Sequence, residues 1–223
     1  MIYAIAIDGP AGAGKSTIAK ILAKELELIY VDTGALYRTI GYYVTSKGIS
    51  TADTEAVVAA LPSLTVELKY VDGVQRVFAN EEDVSDLIRT PAISMAASAV
   101  SAIPAVRAYL LDTQRSIAAG HSVVMDGRDI GTVILPDAKV KIYLSASPEA
   151  RARRRYDELQ QTGDPATYEE VLADMIKRDY DDMHREIAPL KQAEDAIPVD
   201  TSGETLEQSV AKIKDIVYKK LAE

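Results

Sequence analysis

The sequence contains no cysteine, no tryptophan, one phenylalanine and two histidines in 223 residues. Without cysteine the chain has no disulfides, no thiolate metal site and no cysteine nucleophile, which fits a cytoplasmic location. It has no uninterrupted apolar run of roughly 18 residues, so we expect neither a membrane-spanning helix nor a membrane partner. No basic segment precedes the first apolar run, and we therefore expect no secretory signal.

Positive charge is also scarce, because 25 lysines and arginines face 34 aspartates and glutamates and leave a formal net charge of −9. Such a chain is poorly suited to binding nucleic acid polymers through broad electrostatic contact. A single small anion needs only a local cluster of cations and is compatible with this balance. The length and the 48% hydrophobic content allow one sizeable core. We expect a monomer with small-molecule partners, built as one unit with inserted lobes.

Short apolar runs that alternate with amphipathic segments predict an α/β fold, in which crossover helices join the strands of a parallel sheet. Five strands are predicted, and Pro198 places the fifth at an edge of the sheet. One predicted helix ends near Ala188 because Pro189 follows it. The predicted helices cover residues 15–28, 168–187 and 205–221, and the predicted strands cover residues 2–8, 29–31, 122–125, 140–145 and 196–199.

The second and third of these strands are separated by residues 32–121, a segment too long for one crossover helix. We therefore predict an inserted lobe at this point of the chain. Within it, alternating apolar residues on both sides of Asp72 and Gly73 predict a β-hairpin. A helical segment is predicted to follow over residues 90–119.

A glycine-rich segment joins the first strand to the first helix and matches the pattern G-x-x-x-x-G-K-[ST]. Glycine lets the backbone turn its N–H groups inward around a phosphate, and the following helix N-terminus favours an anion. In this motif Lys15 adds a charge for the outer phosphates, Ser16 offers its hydroxyl to Mg²⁺ and Thr17 lies near the inner phosphate. The predicted nucleotide-binding residues are Gly9, Pro10, Ala11, Gly12, Ala13, Gly14, Lys15, Ser16 and Thr17.

The alternative to this interpretation is a glycine-rich turn that binds nothing. A strand before the loop and a helix after it are the context that the phosphate-binding motif requires, and they favour a nucleoside triphosphate. The loop does not identify the phosphate acceptor, because GTPases, ATPases and small-molecule kinases all use it.

Two other predicted strands end in polar residues, at the edge of the sheet where open α/β folds bind ligands. Asp32 and Thr33 follow the second strand, where a capped helix start is a compatible alternative. Asp126, Arg128 and Asp129 follow the third strand, where a plain Asp-Gly turn is the alternative. Asp126 is the first acidic residue after an apolar strand, a position at which P-loop enzymes place a carboxylate near Mg²⁺.

Two arginine-bearing helices flank a polar loop at residues 160–167, which we interpret as a mobile lid. On the first helix, Arg151, Arg154 and Arg155 share a face and are predicted to stabilise charge on a transferring phosphoryl group. A solvated face that pairs with nearby acidic residues is the alternative. The second helix also presents arginines and an aspartate on one face, which a salt-bridge ladder would explain equally well.

Together these segments resemble the bacterial cytidylate kinases, a family of nucleoside monophosphate kinases, over essentially the whole chain. The segments DGRDIGTV and REIAPL are much more specific than the glycine loop, which is generic. The remaining segments that carry the resemblance are GPAGAGKST, VDTGALYR, EDVSDLIRTPAISMAASAVSAIPAVR, RARRR and KRDYDDMH.

The resemblance implies an α/β, P-loop NTPase-type three-layer fold with a central five-stranded parallel sheet, an inserted lobe for the nucleoside monophosphate and a short lid. It places the core at about residues 1–31, 120–150 and 189–223, the lobe at about 32–119 and the lid region at about 151–188. It also implies ATP as phosphoryl donor, Mg²⁺ as cofactor and CMP or dCMP as acceptor. A kinase for another small acceptor such as UMP or shikimate, or a regulatory nucleotide switch, is the alternative.

Residue roles follow from the resemblance position by position. Asp129, Ser98 and Arg107 match positions that recognise cytosine. Asp129 would accept a hydrogen bond from the amino group of the cytosine. The implied CMP-binding residues are Thr33, Arg38, Ser98, Arg107, Arg128, Asp129, Arg178, Asp182 and Arg185. The implied catalytic residues are Lys15, Arg128, Arg154 and Arg178. Arg151 and Arg155 are implied to make additional contacts with ATP. Ser16 and Asp126 are implied to bind Mg²⁺ through water.

Overall fold

The structure is a computed structural model, and it describes residues 2–71 and 74–223. Contacts between residues divide the chain into two units, which are described separately below. The core unit comprises Met1–Tyr30 and Ala118–Glu223, and the inserted unit comprises Val31–Ile117.

A five-stranded sheet organises the core unit. Its order is β2-β6-β1-β7-β8, and β1 is central because it pairs in parallel with both β6 and β7. The strands β1 and β6 are almost wholly buried, as expected for a parallel sheet covered on both faces. The α/β fold with a five-stranded parallel sheet and the edge position of Pro198 are therefore confirmed. The strands are β1 (Ala4–Asp8), β2 (Ile29–Asp32), β6 (Val123–Gly127), β7 (Val140–Ser145) and β8 (Ile197–Asp200).

Four helices complete the core unit. Apolar residues of α1 and α8, such as Ile18, Leu22 and Ile213, pack with Ile5 and Ile142 of the sheet in one buried cluster. Their helical spacing is the pattern that predicted α1 and α8. A short π-helical turn, Ile130–Ile134, follows β6. The helices are α1 (Lys15–Glu25), α6 (Pro148–Gln161), α7 (Tyr168–His184) and α8 (Leu206–Ala222).

The inserted unit combines helices with a small antiparallel sheet. Strands β3 and β4 pair antiparallel, as the alternating pattern predicted, and the predicted turn at Asp72 and Gly73 lies outside the described residues. A two-residue third strand, β5, was not predicted. The elements are α2 (Thr33–Ser46), α3 (Thr54–Ala60), β3 (Val66–Val71), β4 (Val74–Ala79), β5 (Glu82–Asp83), α4 (Pro91–Ser101) and α5 (Pro104–Gly120).

The helical segment predicted over residues 90–119 is two helices rather than one. The axes of α4 and α5 are bent by 99°. Pro104 explains the break, because it has no N–H to donate and disfavours the helical conformation of the preceding residue. In the described part of the chain no single helix has both the length and the apolar composition of a membrane span, although α4 and α5 together reach them across this bend.

The end of α7 also differs from the prediction, since the helix stops at His184. Arg185 already has an extended backbone, with φ −63° and ψ 144°. Its Nε donates to the carbonyl of Ala188 at 2.6 Å, and the N–H of Leu190 donates to the carbonyl of Asp182 at 2.8 Å. These bonds replace the last helical turn, so the helix ends five residues before the proline rather than beside it.

Candidate active site

The glycine loop lies between β1 and α1, as predicted. Gly9, Gly12 and Gly14 all have positive φ angles, of 150°, 73° and 86°. At Gly9 the requirement is absolute, because a Cβ there would lie 1.9 Å from the carbonyl oxygen of Leu144. Gly14 is the N-cap of α1 and provides no side-chain acceptor for the first N–H groups of the helix. The loop therefore offers backbone donors and a helix dipole to an anion.

Lys15 is buried directly beneath this loop, and 6% of the residue is exposed. Its Nζ donates to the carbonyl of Pro10 at 2.6 Å. Burial, reinforced by the charge of Arg128, lowers the pKa of Lys15 to about 7, although Asp126 and Asp182 act in the opposite direction. An anion bound in the loop would favour the protonated form of Lys15.

Ser16 and Asp126 lie in contact at the start of α1 and the end of β6. The Ser16 hydroxyl donates to Asp126 Oδ2 at 2.8 Å, and the Tyr30 hydroxyl donates to Oδ1 at 2.9 Å. Hydroxyl and carboxylate oxygens suit Mg²⁺, which prefers hard oxygen ligands. The described residues contain no cluster of three or more acidic or histidine ligands, so Mg²⁺ here would depend on phosphate oxygens and water.

A cavity of about 390 Å³ adjoins the glycine loop and extends from α1 to α6 and the segment after β8. The sequence predictions missed the wall that follows β8. The available signal was its position after the carboxyl end of a parallel strand, where such sheets bind ligands. The cavity is lined by Gly12, Ala13, Gly14, Lys15, Ser16, Thr17, Ile18, Arg154, Glu158, Thr201, Glu204, Leu206 and Ser209.

Arg151, predicted to contact ATP, is 2% exposed and joins three parts of the core unit. Both terminal nitrogens bond the Asp179 carboxylate on α7. Nη1 also donates to the carbonyl of Ala11 at 2.9 Å, and Nε donates to the carbonyl of Ala146 at 2.8 Å. The side chain thus holds the glycine loop and α7 to the start of α6, and the alternative of a solvated helix face does not describe it.

The other arginines of α6 lie in three different environments. Arg154 lines the cavity and donates to the carbonyl of Thr201 at 2.6 Å. Arg155 forms an exposed pair with Glu158 at 3.0 Å, as the solvated-face alternative anticipated. Arg153 lies over the Tyr168 ring, 4.5 Å from its centroid. Among the predicted lid arginines only Arg154 lines the cavity beside the glycine loop.

A second charged cluster lies where β6 ends and α7 passes. Arg128 Nε donates to Asp182 Oδ2 at 2.7 Å. Arg185 lies 3.7 Å from both Asp182 and Asp129. Burial opposes ionisation of Asp182, but the charges of Arg128, Arg185 and Arg178 outweigh it and lower its pKa. These five predicted CMP-binding residues therefore form one network, in which Asp182 is held ionised.

Asp8 is a buried charged residue that the sequence predictions did not include. It is the last residue of β1, and its carboxylate accepts bonds from the backbone N–H groups of Ile130 at 2.8 Å and Gly131 at 2.7 Å. Burial raises the pKa of Asp8 to about 6. An acidic residue at the end of an apolar strand was a visible signal, but it was assigned to the strand alone.

In the inserted unit, Asp32 organises the start of α2. Its carboxylate caps the helix by accepting a bond from the N–H of Ala35 at 2.8 Å, so the capping alternative was correct. It also pairs with Arg38 Nη2 at 2.9 Å and with Arg89 Nη2 at 3.4 Å. Thr33 is buried as the first residue of α2. The convergence of Arg89 on Asp32 was not predicted, because 57 residues separate the two in sequence.

The remaining predicted residues of the inserted unit lie on α4 and α5. Arg107 is buried, donates to the carbonyl of Ser101 at 3.2 Å and lies over the Tyr37 ring, 5.5 Å from its centroid. The Ser98 side chain is half-buried, and its carbonyl accepts a bond from the Ser101 hydroxyl at 2.8 Å. At this distance the Tyr37 ring attracts the guanidinium of Arg107 through a cation–π interaction.

The sequence profile of one family, cytidylate kinase, matches residues 5–219, which is nearly the whole chain. The protein belongs to the cytidylate kinase family. It is 50% identical over 216 residues to a protein named cytidylate kinase from Carboxydothermus hydrogenoformans, covering 97% of each chain. It is 49% identical over 215 residues to one from Caldicellulosiruptor bescii, covering 96% of this chain and 95% of that protein.

A solved structure supports the fold of this family member without bearing on its chemistry. An uncharacterised protein from Eubacterium ventriosum aligns with a TM-score of 0.53 and 13% identity, covering 96% of this chain and 98% of that chain. Membership of the cytidylate kinase family makes the protein a phosphotransferase that uses ATP as phosphate donor. The role of each residue in this cytidylate kinase family member stays a prediction.

Proposed function

We propose that the protein transfers the γ-phosphoryl group of ATP to CMP or dCMP, producing ADP and CDP or dCDP (EC 2.7.4.25). The observation that carries this proposal is the buried Lys15 beneath a phosphate-binding loop in a chain that the cytidylate kinase profile matches over residues 5–219. Family membership supports the reaction class and the nucleotide substrates. The geometry supports the assignment of roles to individual side chains.

For ATP, we propose that the glycine loop binds the phosphates and the adjoining cavity receives the remainder of the nucleotide. The backbone N–H groups at residues 9–17 and the Lys15 ammonium neutralise phosphate charge. Arg154 is the lid arginine that lines this cavity, and its guanidinium is the one we assign to the phosphates. Arg151 acts indirectly, by fixing the glycine loop through the carbonyl of Ala11. Arg155 retains its predicted ATP contact as a proposal to be tested.

For Mg²⁺, we propose that Ser16 and Asp126 hold the ion at the start of α1, partly through water. Their oxygens fit the preference of this ion, and bound Mg²⁺ would neutralise phosphate charge. Tyr30 holds the other oxygen of Asp126 and so fixes the orientation of the carboxylate. An ion held by these residues would help to stabilise the charge that develops on the transferring phosphoryl group.

For the acceptor, we propose two sets of residues, one in each unit and each testable by its own variants. In the core unit, Arg128 and Arg178 bind the phosphate of CMP, and Asp129 accepts a hydrogen bond from the cytosine amino group. Uracil presents an oxygen at that position, which a carboxylate would repel. Asp182 and Arg185 bind near the sugar and phosphate. The set in the inserted unit is Thr33, Arg38, Ser98 and Arg107.

The proposed chemistry requires no strong general base. A phosphate oxygen of CMP is already a nucleophile at neutral pH, so the residues above act by alignment and by neutralising charge. This agrees with the placement of the histidines, because His121 is exposed and His184 stacks on Tyr180 outside the charged clusters. We assign neither of them a role in the reaction.

We also propose that the segment between α6 and α7 acts as the lid. The start of α6 is tied to the glycine loop by Arg151, so any movement belongs to the distal half of the helix and the loop before Tyr168. Closure there would exclude water, which would otherwise hydrolyse ATP.

A coupled assay of ADP production tests the proposed function directly. Purified protein is supplied with ATP and Mg²⁺ and with CMP, dCMP, UMP, AMP or shikimate in turn. We expect the highest kcat/KM for CMP or dCMP and at least about tenfold lower values for UMP. A preference for UMP, AMP or shikimate would replace the proposed substrate, and acceptor-independent ATP hydrolysis alone would favour a nucleotide switch.

A further inference from the structure

We propose that Asp8 is a positioning residue for nucleotide selection, because it caps the turn that carries Arg128 and Asp129 from the neighbouring strand of the sheet. The inference rests on the proposed function, in which these two residues bind CMP. The phosphate-binding motif does not require an aspartate at this position, because Asp8 precedes the first glycine of the loop.

The cap has an unusual origin. Asp129 is the N-cap residue of the π-helical turn Ile130–Ile134, and its carbonyl accepts bonds from Val133 at 2.9 Å and Ile134 at 3.1 Å. An aspartate at such a position usually caps the next N–H groups with its own carboxylate. The Asp129 side chain makes no capping hydrogen bond, and the N–H groups of Ile130 and Gly131 donate to Asp8 instead.

Capping by Asp8 rather than by Asp129 affects where the Asp129 carboxylate lies, and so bears on selectivity between CMP and UMP. If Asp129 capped its own helix, its carboxylate would turn towards the N–H groups of residues 131 and 132. Asp8 already satisfies the N–H of Gly131, and the Asp129 carboxylate instead lies 3.7 Å from Arg185, in the network that we assign to CMP. The position of Asp8 is itself fixed, since it pairs in register with Gly127 on β6, one residue before Arg128.

The close approach of the two segments leaves little room for a side chain at position 131. A Cβ on Gly131 would lie 3.4 Å from Asp8 Oδ2 and 3.1 Å from Cδ of Lys141. Lys141 is buried, and its Nζ pairs with Asp195 at 2.8 Å, so its stem has little room to withdraw. The contact between Asp8 and the turn is therefore tightly packed and can be disturbed from either side.

The test compares Asp8→Asn with a matched control, Asp53→Asn. Both aspartates cap backbone N–H groups, but Asp53 caps the exposed helix α3 of the inserted unit, where no site residue is predicted. Asparagine keeps one acceptor and presents an amide donor to the second N–H group. We expect Asp8→Asn to lower the ratio of kcat/KM for CMP to that for UMP by about tenfold, because small misplacements of binding groups are costly. We expect the KM for ATP to change less than twofold.

Two further measurements keep the test decisive. Amide hydrogen exchange at Ile130 and Gly131 should accelerate in Asp8→Asn and not in Asp53→Asn. If Asp8→Asn fails to fold, Gly131→Val places a larger side chain against Asp8 and Lys141 and should lower the same selectivity ratio. An unchanged ratio in a folded variant with faster exchange at these amides would overturn the proposal, as would a loss confined to the KM for ATP.

Failure of this inference is distinguishable from failure of the proposed function. If the native protein shows no preference for CMP over UMP, the proposed function fails. If it prefers CMP, and Asp129→Ala removes that preference while Asp8→Asn retains it, only the role of Asp8 is wrong.

Discussion

At the scale of single residues, Lys15 is a buried lysine whose charged form is destabilised by its burial. Its ammonium bonds a neutral carbonyl, and its pKa lies near 7 because desolvation and Arg128 both oppose the charge. This is an unfavourable place for a lysine in the absence of an anion. The energetic cost is expected to be recovered when phosphate oxygens approach the loop.

Replacement of this residue by methionine, Lys15→Met, should lower kcat by about a thousandfold, because a preorganised charge on the transferring phosphoryl group is lost. The melting temperature should stay the same or rise, since a desolvated ammonium is removed. Steady-state kinetics and thermal unfolding measure the two effects. Lys24→Ala, an exposed residue of the same helix, is the control and should change neither quantity. Full activity in Lys15→Met would exclude the proposed phosphate contact.

Asp129 gives the most specific test of substrate choice. Asp129→Ala should reduce the preference for CMP over UMP by about ten- to a hundredfold, because the acceptor for the cytosine amino group and the repulsion of the uracil oxygen are both lost. Parallel assays with the two monophosphates measure the ratio. The KM for ATP serves as the internal control. Selectivity equal to that of the native protein would contradict the role assigned to this carboxylate.

Asp182 links the site to stability through its lowered pKa. The ionised carboxylate pairs with Arg128, so its contribution is complete above the ordinary Asp pKa of 3.8 and is lost as the pH falls through the lower pKa of the folded state. Asp182→Asn should therefore destabilise the protein by about 3 kcal/mol near pH 7. The difference from the native protein should shrink below pH 4. Urea denaturation across this range measures it, and a difference independent of pH would show that the charge is not responsible.

Most residues of the proposed nucleotide site were visible in the sequence because they belong to short, contiguous segments. Those that were missed make their contacts over long separations. Asp8 bonds residues more than 120 positions away, and Arg89 meets Asp32 across 57 positions. Local pattern identifies a residue type at a strand end, but it cannot show which distant backbone group that residue meets.

At the scale of elements, α6 and α7 are joined by one buried ion pair. Arg151 and Asp179 bond through both terminal nitrogens, and the same guanidinium reaches the glycine loop. Buried ion pairs of this kind are strongly destabilising to break and nearly neutral to replace as a whole. Variants of this pair can therefore distinguish the contribution of Arg151 to stability from its contribution to ATP binding.

Arg151→Met should destabilise the protein by about 3–5 kcal/mol, because it leaves the Asp179 carboxylate buried without its partner. The double variant Arg151→Met with Asp179→Leu should recover most of that stability but not the KM for ATP, since the bond to Ala11 is still missing. Urea denaturation and ATP kinetics measure the two. Recovery of both in the double variant would show that Arg151 does not support the loop.

Arg155→Ala is the matched variant on the same helix. Its pair with Glu158 is exposed, so its removal should change stability by less than about 1 kcal/mol. A raised KM for ATP in this variant would support the predicted contact between Arg155 and ATP. An unchanged KM would leave Arg154 as the arginine of α6 that acts on the nucleotide.

The elements themselves were largely predictable because apolar periodicity persists over each of them. The five strands of the sheet and the first and last helices of the core unit lie within a few residues of their predicted bounds. The errors occurred at local breaks within segments that were predicted to be continuous helix. Pro104 divides one apolar helical stretch into α4 and α5, and the bond from Arg185 to the carbonyl of Ala188 ends α7 early.

At the scale of the whole molecule, predicted acceptor-binding residues occur in both units, and ligand binding can be followed in each unit separately. Hydrogen exchange monitored by mass spectrometry should show that an unreactive ATP analogue protects residues 9–18 and the α6–α7 region of the core unit. CMP should protect additional peptides of the inserted unit, around Thr33 and Arg107. The same experiment with UMP at equal concentration is the control and should give weaker protection. Protection by CMP confined to the core unit would remove the inserted unit from acceptor binding.

The contact between Gly9 and Leu144 limits how this sequence can vary. Since the carbonyl of Leu144 occupies the space of a side chain at position 9, any other amino acid there would force β1 and β7 apart. Saturation mutagenesis at this position should return only glycine among the variants that fold and retain activity. Variants with altered donor preference are therefore expected from side chains of the cavity wall after β8, such as Glu204 and Leu206, and not from position 9.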